Sequence, residues 1–189
     1  MKLINLNQDT RELHVFNEPG QYVVFMHNIS GKFTFKLTSE GVEVDIFGLF
    51  TGKNTDQFKV ETIQHHTAPK TTSNLFIKGV FDEQSKFNYQ GLIRIEKEAP
   101  QSHAYQKNQN LILSPGVFIE SKPYLEILAN DVFCTHGSTT GKLNREEQYY
   151  LQTRGIDEKN VQKLLVEGFV NEVIDKVRQK IPEFSYNFN

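Results

Sequence analysis

A short run of strand-forming residues returns along the chain at nearly even intervals. Each run is rich in Val, Ile, Leu or Phe, which pack well on a pleated, half-buried sheet. Successive run centres are 16, 17, 16, 19 and 15 residues apart, at Val44, Val60, Ile77, Ile93, Ile112 and Ile127. Regular spacing of this kind is typical of all-β architectures. It leaves two folds open, a β-solenoid whose coils stack on one another and an antiparallel sandwich with uneven hairpins.

The strand-like pattern ends near Gly141, and a helical pattern follows. Asn144 can cap a first helix, with Glu147 in the capping-box position. Gly155 can end that helix in a left-handed conformation. We therefore predict a β region over residues 1–141.

The remainder, residues 142–189, is predicted to be a small helical region. Asp157 is a good N-cap for a second helix, and Pro182 would end it. Apolar residues of this segment fall on one helical face, which we expect to be buried: Val161, Leu164, Leu165, Phe169, Val173, Ile174 and Val177.

Composition excludes several classes of protein. With 21 basic and 23 acidic residues the net charge is -2, which argues against non-specific nucleic-acid binding and against a polybasic membrane anchor. The single cysteine, Cys134, allows no intrachain disulfide and fits a reducing compartment. No apolar run approaches the length of a membrane span, and the first residues lack the apolar core of a secretion signal. We expect a soluble, cytoplasmic protein.

Cys134 and His136 are the most reactive pair that close spacing brings together. In a strand, residues two apart share a face, so the thiol and the imidazole would be neighbours. Both suit soft or borderline metals, but two ligands do not complete a tetrahedral site. The other interpretation is a small buried hydrophobe beside a hydrogen-bonded histidine. His65 and His66 would point to opposite faces of a strand, and a solvated turn is the favoured interpretation for them.

Several blocks, in order between His66 and Val177, carry a family resemblance. They are Ser73–Val80, Tyr89–Ile93, Ala104–Gln106, Asn110–Ser114, Lys122–Ile127, Asp131–Thr139, Tyr149–Ile156, Leu164–Leu165 and Gly168–Phe169. On these blocks the chain resembles the SufB/SufD family of iron–sulfur cluster assembly scaffolds. The resemblance implies a right-handed parallel β-helix followed by C-terminal helices, and a non-enzymatic role. Family members are usually longer, with an N-terminal helical region.

The resemblance also implies partners. Family members pair through their β-helix ends and recruit the SufC ATPase through the helical end, so the expected partners are a SufC-like ATPase and either a SufB-like subunit or a second copy. The resemblance implies ATPase binding by Tyr149, Tyr150, Arg154, Gly155 and Ile156. The expected dimer interface comprises Leu125, Ile127, Val132, Cys134 and His136.

Within the family the chain looks like the SufD type. The stretch before Lys122 contains no cysteine, and Gly137 follows His136. His136 matches the SufD histidine that the resemblance places at the cluster site, so His136 and Cys134 are the expected cluster or metal ligands. No cofactor is expected on the chain alone, and an iron–sulfur cluster would bind transiently at a subunit interface. The rival hypothesis is a small histidine-based, metal-dependent binding or hydrolytic β-domain, which needs at least three ligands or a base–nucleophile pair around one cavity.

Overall fold

The computed structural model describes residues 1–9 and 11–186. Within them the chain forms eleven strands followed by two helices. The strands are β1 Lys2–Asn5, β2 Leu13–Phe16, β3 Gly20–His27, β4 Gly31–Leu37, β5 Val42–Gly52, β6 Gln57–His66, β7 Thr72–Phe81, β8 Lys86–Ile95, β9 His103–Ile112, β10 Phe118–Ile127 and β11 Phe133–Gly141. The helices are α1 Arg145–Thr153 and α2 Glu158–Lys180.

Odd-numbered and even-numbered strands build two separate sheets. One sheet has the order β1-β3-β5-β7-β9-β11 and the other has the order β10-β8-β6-β4-β2. Every neighbouring pair is parallel. Each coil of the chain therefore adds one strand to each sheet. This arrangement is a parallel β-helix, which confirms the solenoid predicted from the sequence.

The recurrence near 16 residues measures half a coil. Val44 lies in β5 and Val60 in β6, which belong to opposite sheets. The residue stacked on Val60 in the next coil is Tyr89, 29 positions later. The interpretation of each run as a whole coil was wrong, because one coil consists of two strands and two turns.

Alternating side chains divide the apolar residues between two cores. Inside the solenoid, phenylalanine rings of the two sheets meet: the ring centroids of Phe81 and Phe87 are 4.9 Å apart, and those of Phe50 and Phe87 are 5.0 Å apart. A second core lies on the outer face of the odd-numbered sheet, where Val173 and Val177 of α2 are buried in one cluster with Phe47 and Val80. The helix is therefore held by the same strands that enclose the first core.

The caps of α1 lie close to where the sequence places them. Asn144 caps α1 by accepting a hydrogen bond from the backbone N–H of Glu146 at 2.8 Å, one residue earlier than predicted. Gly155 follows the end of α1 with φ +84°, the predicted left-handed conformation.

Helix α2 covers only part of the sheet. Asp157 caps it by accepting from the backbone N–H of Asn160 at 3.0 Å, and it ends before Pro182. The predicted buried face is wrong at Leu164, which is 47% exposed and borders an open groove between α1 and α2. Val170 is buried instead, against β3, β5 and β7. In the described part of the chain, neither helix has the length and apolar content that crossing a membrane requires.

Left-handed residues stack at one corner of the solenoid. Gly41, Lys70, Gln101 and Asp131 have φ values of +78°, +52°, +58° and +55°. Their backbones bond from coil to coil, since the N–H of Gly41 donates to the Lys70 carbonyl at 3.3 Å and that of Gln101 to the Asp131 carbonyl at 2.7 Å. A residue with a Cβ loses about 1–2 kcal/mol in this conformation, and glycine does not.

We expect Gln101→Gly to raise the free energy of unfolding by about 1 kcal/mol, because relief of this strain exceeds the entropic cost of glycine. Gly41→Ala is the matched reverse change. A Cβ there would meet only an ordinary contact, 3.6 Å from Pro19 Cβ, so backbone strain alone should lower stability. Urea denaturation measures both variants. A shift of the two in the same direction would contradict the strain argument.

Candidate functional site at the open end of the solenoid

The last coil leaves two strand edges uncovered. Among the described residues, β11 is the last strand of the odd-numbered sheet and pairs only with β9, while β10 is the last of the even-numbered sheet and pairs only with β8. Unpaired N–H and C=O groups along such edges are ready to bond to another strand. We call this end of the solenoid, formed by β10 and β11, the mouth.

The register places the predicted interface residues on one face of the mouth. Parallel partners point the same way, and Cys134 pairs with the interior residue Ala104, whereas His136 pairs with the interior residue Gln106. On the facing strand, Leu125 and Ile127 continue the interior columns of Ile93 and Ile95. Four of the five predicted interface residues therefore face the lumen of the solenoid, and Val132 lies just before β11. Because no further coil covers them within the described chain, Leu125 and Ile127 stay 40% exposed. By the same register Phe118, Tyr124 and Phe133 face outward, and with Leu128 just beyond β10 they add to the exposed apolar surface of the mouth.

Cys134 and His136 differ in their surroundings. Cys134 is half-buried and packs, with Val132, against a small apolar cluster that includes Ala104 and Ala129. Burial raises the pKa of the Cys134 thiol, because a thiolate would lose hydration there. His136 is exposed at the mouth. Cys134 is therefore the more buried of the two, and the imidazole of His136 is the more accessible side chain.

A polar lining of the mouth escaped sequence reasoning. Asn108 and Asn110 are buried in β9 and bond to each other, with Asn110 Nδ2 at 2.7 Å from Asn108 Oδ1. Asn110 Nδ2 also lies 3.4 Å from Thr140 Oγ1, and Ser138 Oγ donates to Ser121 Oγ across the lumen at 2.9 Å. Alternating polar residues in a strand ordinarily indicate the solvent face, so the pattern alone points the wrong way.

His65 and His66 lie at the end of β6 on opposite faces, and the favoured solvated turn was wrong. His65 is at the surface, 2.8 Å from Glu96 Oε1. His66 is fully buried, with its ring nitrogens 2.7 Å from Thr71 Oγ1 and 2.7 Å from Ser73 Oγ. Burial, with a smaller contribution from His65, lowers the pKa of His66 to about 4.

The residues predicted to bind an ATPase lie at the helical end, well exposed. Tyr149 and Tyr150 project from α1, none of whose residues is buried. Arg154 packs on Tyr150, with its guanidinium carbon 5.1 Å from the ring centroid and its Nη2 3.3 Å from the hydroxyl. Ile156 is half-buried at the junction with α2. The tyrosines therefore do not fasten the helices to the solenoid.

A metal site of three or more ligands is not formed by the described residues. Over residues 1–9 and 11–186, no three His, Cys, Asp or Glu side chains come close enough to hold one ion. Cys134 and His136 are two ligands on one edge, and His65 and His66 diverge. The rival hypothesis of a histidine-based, metal-dependent β-domain thus has no observed cluster in its favour.

Comparison with known proteins agrees with the fold. The family described as "SUF system FeS cluster assembly, SufBD core domain" matches residues 22–169. The chain is 33% identical over 109 residues to the iron–sulfur cluster assembly SufBD family protein slr0076 of Synechocystis, covering 58% of this chain and 24% of that protein. It is 29% identical over 150 residues to the SufBD family protein ML0594 of Mycobacterium leprae, covering 75% of this chain and 38% of that protein.

A third relative covers more of the chain. The iron–sulfur cluster assembly protein SufD of Escherichia coli is 27% identical over 157 residues, which cover 83% of this chain and 36% of that protein. The chain thus spans between 24% and 38% of the length of these relatives. The SufBD core match includes β4 to β11 and α1 in full. The chain belongs to the SufB/SufD family of iron–sulfur cluster assembly proteins.

Proposed function

We propose that the chain is a non-enzymatic scaffold subunit of the SUF iron–sulfur cluster assembly system. The observation that carries this proposal is the mouth, where two free strand edges, exposed apolar residues, Cys134 and His136 occur together. Family membership supplies the chemical context, and the single free cysteine fits the reducing cytoplasm, where we place the protein. Co-purification with a SufC-like ATPase and a SufB-like subunit tests the assignment as a whole.

Pairing at the mouth would both satisfy the free strand edges and bury exposed apolar side chains. The free edges of β10 and β11 gain hydrogen-bond partners when a second β-helix docks there. The exposed lumen-facing residues Leu125 and Ile127 become buried, which favours association. A two-fold axis would use the same surface on both chains, whether the partner is a second copy or a SufB-like subunit of similar shape. Val132, Cys134 and His136 complete the proposed interface.

The cluster in this proposal is cargo that is assembled and passed on. A single chain contributes at most one thiolate and one imidazole, from Cys134 and His136, which is too few to close a cluster site. Burial raises the pKa of the Cys134 thiol and so disfavours the thiolate, whereas the imidazole of His136 is exposed at the mouth and can reach a metal. His136 is therefore the proposed ligand, and a partner that supplies thiolates would complete the site.

Reconstitution with iron and sulfide should leave the protein colourless on its own. With a SufB-like partner we expect a cluster absorbance that His136→Ala reduces at least about tenfold, because a metal ligand is lost. Cys134→Ser is the matched control on the same face and should retain most of the signal. A stable cluster on the homomer, or loss of signal only in Cys134→Ser, would contradict the assignment.

The helical end is the proposed docking site for a SufC-type ATPase. Tyr149, Tyr150 and Arg154 form an exposed aromatic and cationic surface, and such residues are frequent anchors of protein interfaces. Gly155 allows the sharp turn that sets α1 apart from α2, with Ile156 at the junction. Because α1 buries no residue on its own chain, its surface is available to a partner.

We expect Arg154→Ala to weaken ATPase binding by about tenfold, since it removes a charge and also releases Tyr150 from its stacked position. Arg145→Ala removes an exposed arginine from the opposite end of α1 and serves as the control. Surface plasmon resonance measures both affinities, and circular dichroism checks the fold. Equal affinity for Arg154→Ala and the unchanged protein would remove Arg154 from the site.

A further inference from the structure

A groove outside the mouth holds more positive charge than its neighbours neutralise. It lies between α2 and the outer face of the odd-numbered sheet and encloses about 330 Å³. Its floor comes from β5, β7 and β9 and its wall from the last turns of α2. The lining residues that bear on ligand binding are Phe76, Tyr105, Lys107, Glu172, Lys176 and Lys180.

Four lysines meet two carboxylates around this groove. Lys78 is buried beside the groove and is paired with Glu172, which also lies 3.8 Å from Lys176. Lys180 pairs with Asp45 at 3.1 Å. No carboxylate lies within ion-pair distance of Lys107 in the described part of the chain. Glu172 can neutralise only one of its two lysines, so two positive charges are left over on a chain whose net charge is -2.

Three of these four lysines lie close to the ring of Phe76. The ammonium groups of Lys78, Lys107 and Lys176 lie 5.6, 5.7 and 5.5 Å from the centroid of Phe76. The ring attracts each of them, but like charges this close together repel one another. Burial lowers the pKa of Lys78, and the positive charges of Lys107 and Lys176 lower it further, against the opposing effect of Glu172. An anion bound between Lys107 and Lys176 would relieve this repulsion.

The cations themselves indicate what kind of anion fits. All of them are lysines, which bind phosphate as point charges, whereas planar carboxylates are matched better by the fork of an arginine. A phosphate monoester carries about 1.5 to 2 negative charges at neutral pH, which matches the surplus. The volume lies at the lower end of small-molecule pockets, so it suits one phosphate with a small organic group.

We propose that this groove binds a small phosphate monoester, with the phosphate between Lys107 and Lys176 and the organic group against Tyr105. Tyr105 is 41% exposed and leaves part of its ring available to a ligand. The ring of Phe76 fixes the lysines by cation–π contacts and lies beneath the phosphate position. The site is separate from the mouth and does not depend on cluster assembly.

Calorimetric titration of the full chain at constant ionic strength tests the proposal with phenyl phosphate, inorganic phosphate and benzoate. We expect saturable binding of phenyl phosphate. Benzoate should bind at least about tenfold more weakly, because its carboxylate is planar and carries less negative charge than a phosphate. Weaker binding of inorganic phosphate would show that the organic group contributes. Equal binding of the two phosphates would overturn the role of Tyr105, and no saturable binding of phenyl phosphate at millimolar concentrations would overturn the site.

Variants separate a built site from general charge attraction. Lys107→Gln and Lys176→Gln should each weaken phenyl phosphate binding by about tenfold, and the double variant by about 100-fold. Lys163→Gln removes an exposed lysine of α2 that does not line this groove, and should leave binding unchanged. Circular dichroism confirms that each variant is folded. Unchanged binding in the double variant, or an equal loss in Lys163→Gln, would overturn the proposal.

Discussion

Lowering the pH from about 7 to about 4 is expected to remove about 3 kcal/mol of folding free energy through one side chain, His66. In the folded protein the pKa of His66 is about 4, because the ring is buried inside the solenoid. In the unfolded chain an exposed histidine has a pKa near 6.5. The unfolded state therefore binds the proton first as the pH falls.

The direction follows from which state takes up the proton. Above about pH 6.5 the imidazole is neutral in both states, and its contribution to stability is complete. Between that pH and about 4, protonation favours the unfolded chain, and stability declines steadily. The buried ring offers one donor and one acceptor to Thr71 and Ser73 when neutral, and this arrangement requires no charge inside the solenoid.

His66→Gln is the control because glutamine can donate and accept hydrogen bonds without titrating in this range. Urea denaturation of both proteins at several pH values gives the comparison. The difference in free energy of unfolding between the unchanged protein and His66→Gln should change by about 3 kcal/mol over this pH interval. Taking this difference cancels the contributions of the other titrating groups, which both proteins share. Parallel curves would contradict the assignment, as would an imidazole NMR titration that shows His66 protonating near its ordinary pKa.

Short strands in an all-β fold were predictable because their signal is repeated along the chain, but the pattern left a sandwich open, and the family resemblance favoured the solenoid. Each strand presents a short apolar run, and β5 to β10 return at intervals that are almost constant. The caps of both helices could be predicted from the sequence because capping is local. Asn144, Gly155 and Asp157 act on backbone groups within a few positions of themselves. The number of residues in one coil could not be predicted from the sequence, because it depends on which strands share a sheet.

The interior polar residues illustrate what pattern cannot decide. Asn108 and Asn110 alternate with outward residues just as a solvated face would, yet they point inward and bond to each other. A solvated turn was the favoured interpretation for His66, although Thr71 and Ser73, a few residues further along the chain, fold back to hold its ring. In both cases the partners that make burial possible come from outside the local pattern.

The mouth required both sources of information. The spacing of Cys134 and His136 correctly predicts a shared face, but nothing local shows that this face is the lumen of a solenoid. The register with Ala104 and Gln106 shows it. Leu164 was misassigned for a related reason, since an apolar stripe along α2 does not reveal where the surface beneath the helix ends.

Leu125→Arg is expected to weaken self-association at least about 100-fold, because the charge would be buried without a partner when two mouths meet. Leu125 is 40% exposed in the single chain and continues the interior column of Ile93 on the last even-numbered strand. An arginine there can reach solvent in the monomer, so folding should be little affected. In the proposed dimer, Leu125→Arg removes a buried apolar side chain and places an unpaired charge in the interface.

Leu13→Arg is a matched control at the opposite end of the solenoid. Leu13 is a 51% exposed leucine on the terminal strand β2, so the same substitution adds the same charge at similar exposure. Light scattering after size exclusion at tens of micromolar should show a dimer for the unchanged protein and for Leu13→Arg, and a monomer for Leu125→Arg. A monomeric unchanged protein would contradict self-association, and dissociation by Leu13→Arg alone would move the interface to the other end. Dimerisation through the mouth requires that Leu125→Arg separates the chains and that Leu13→Arg does not.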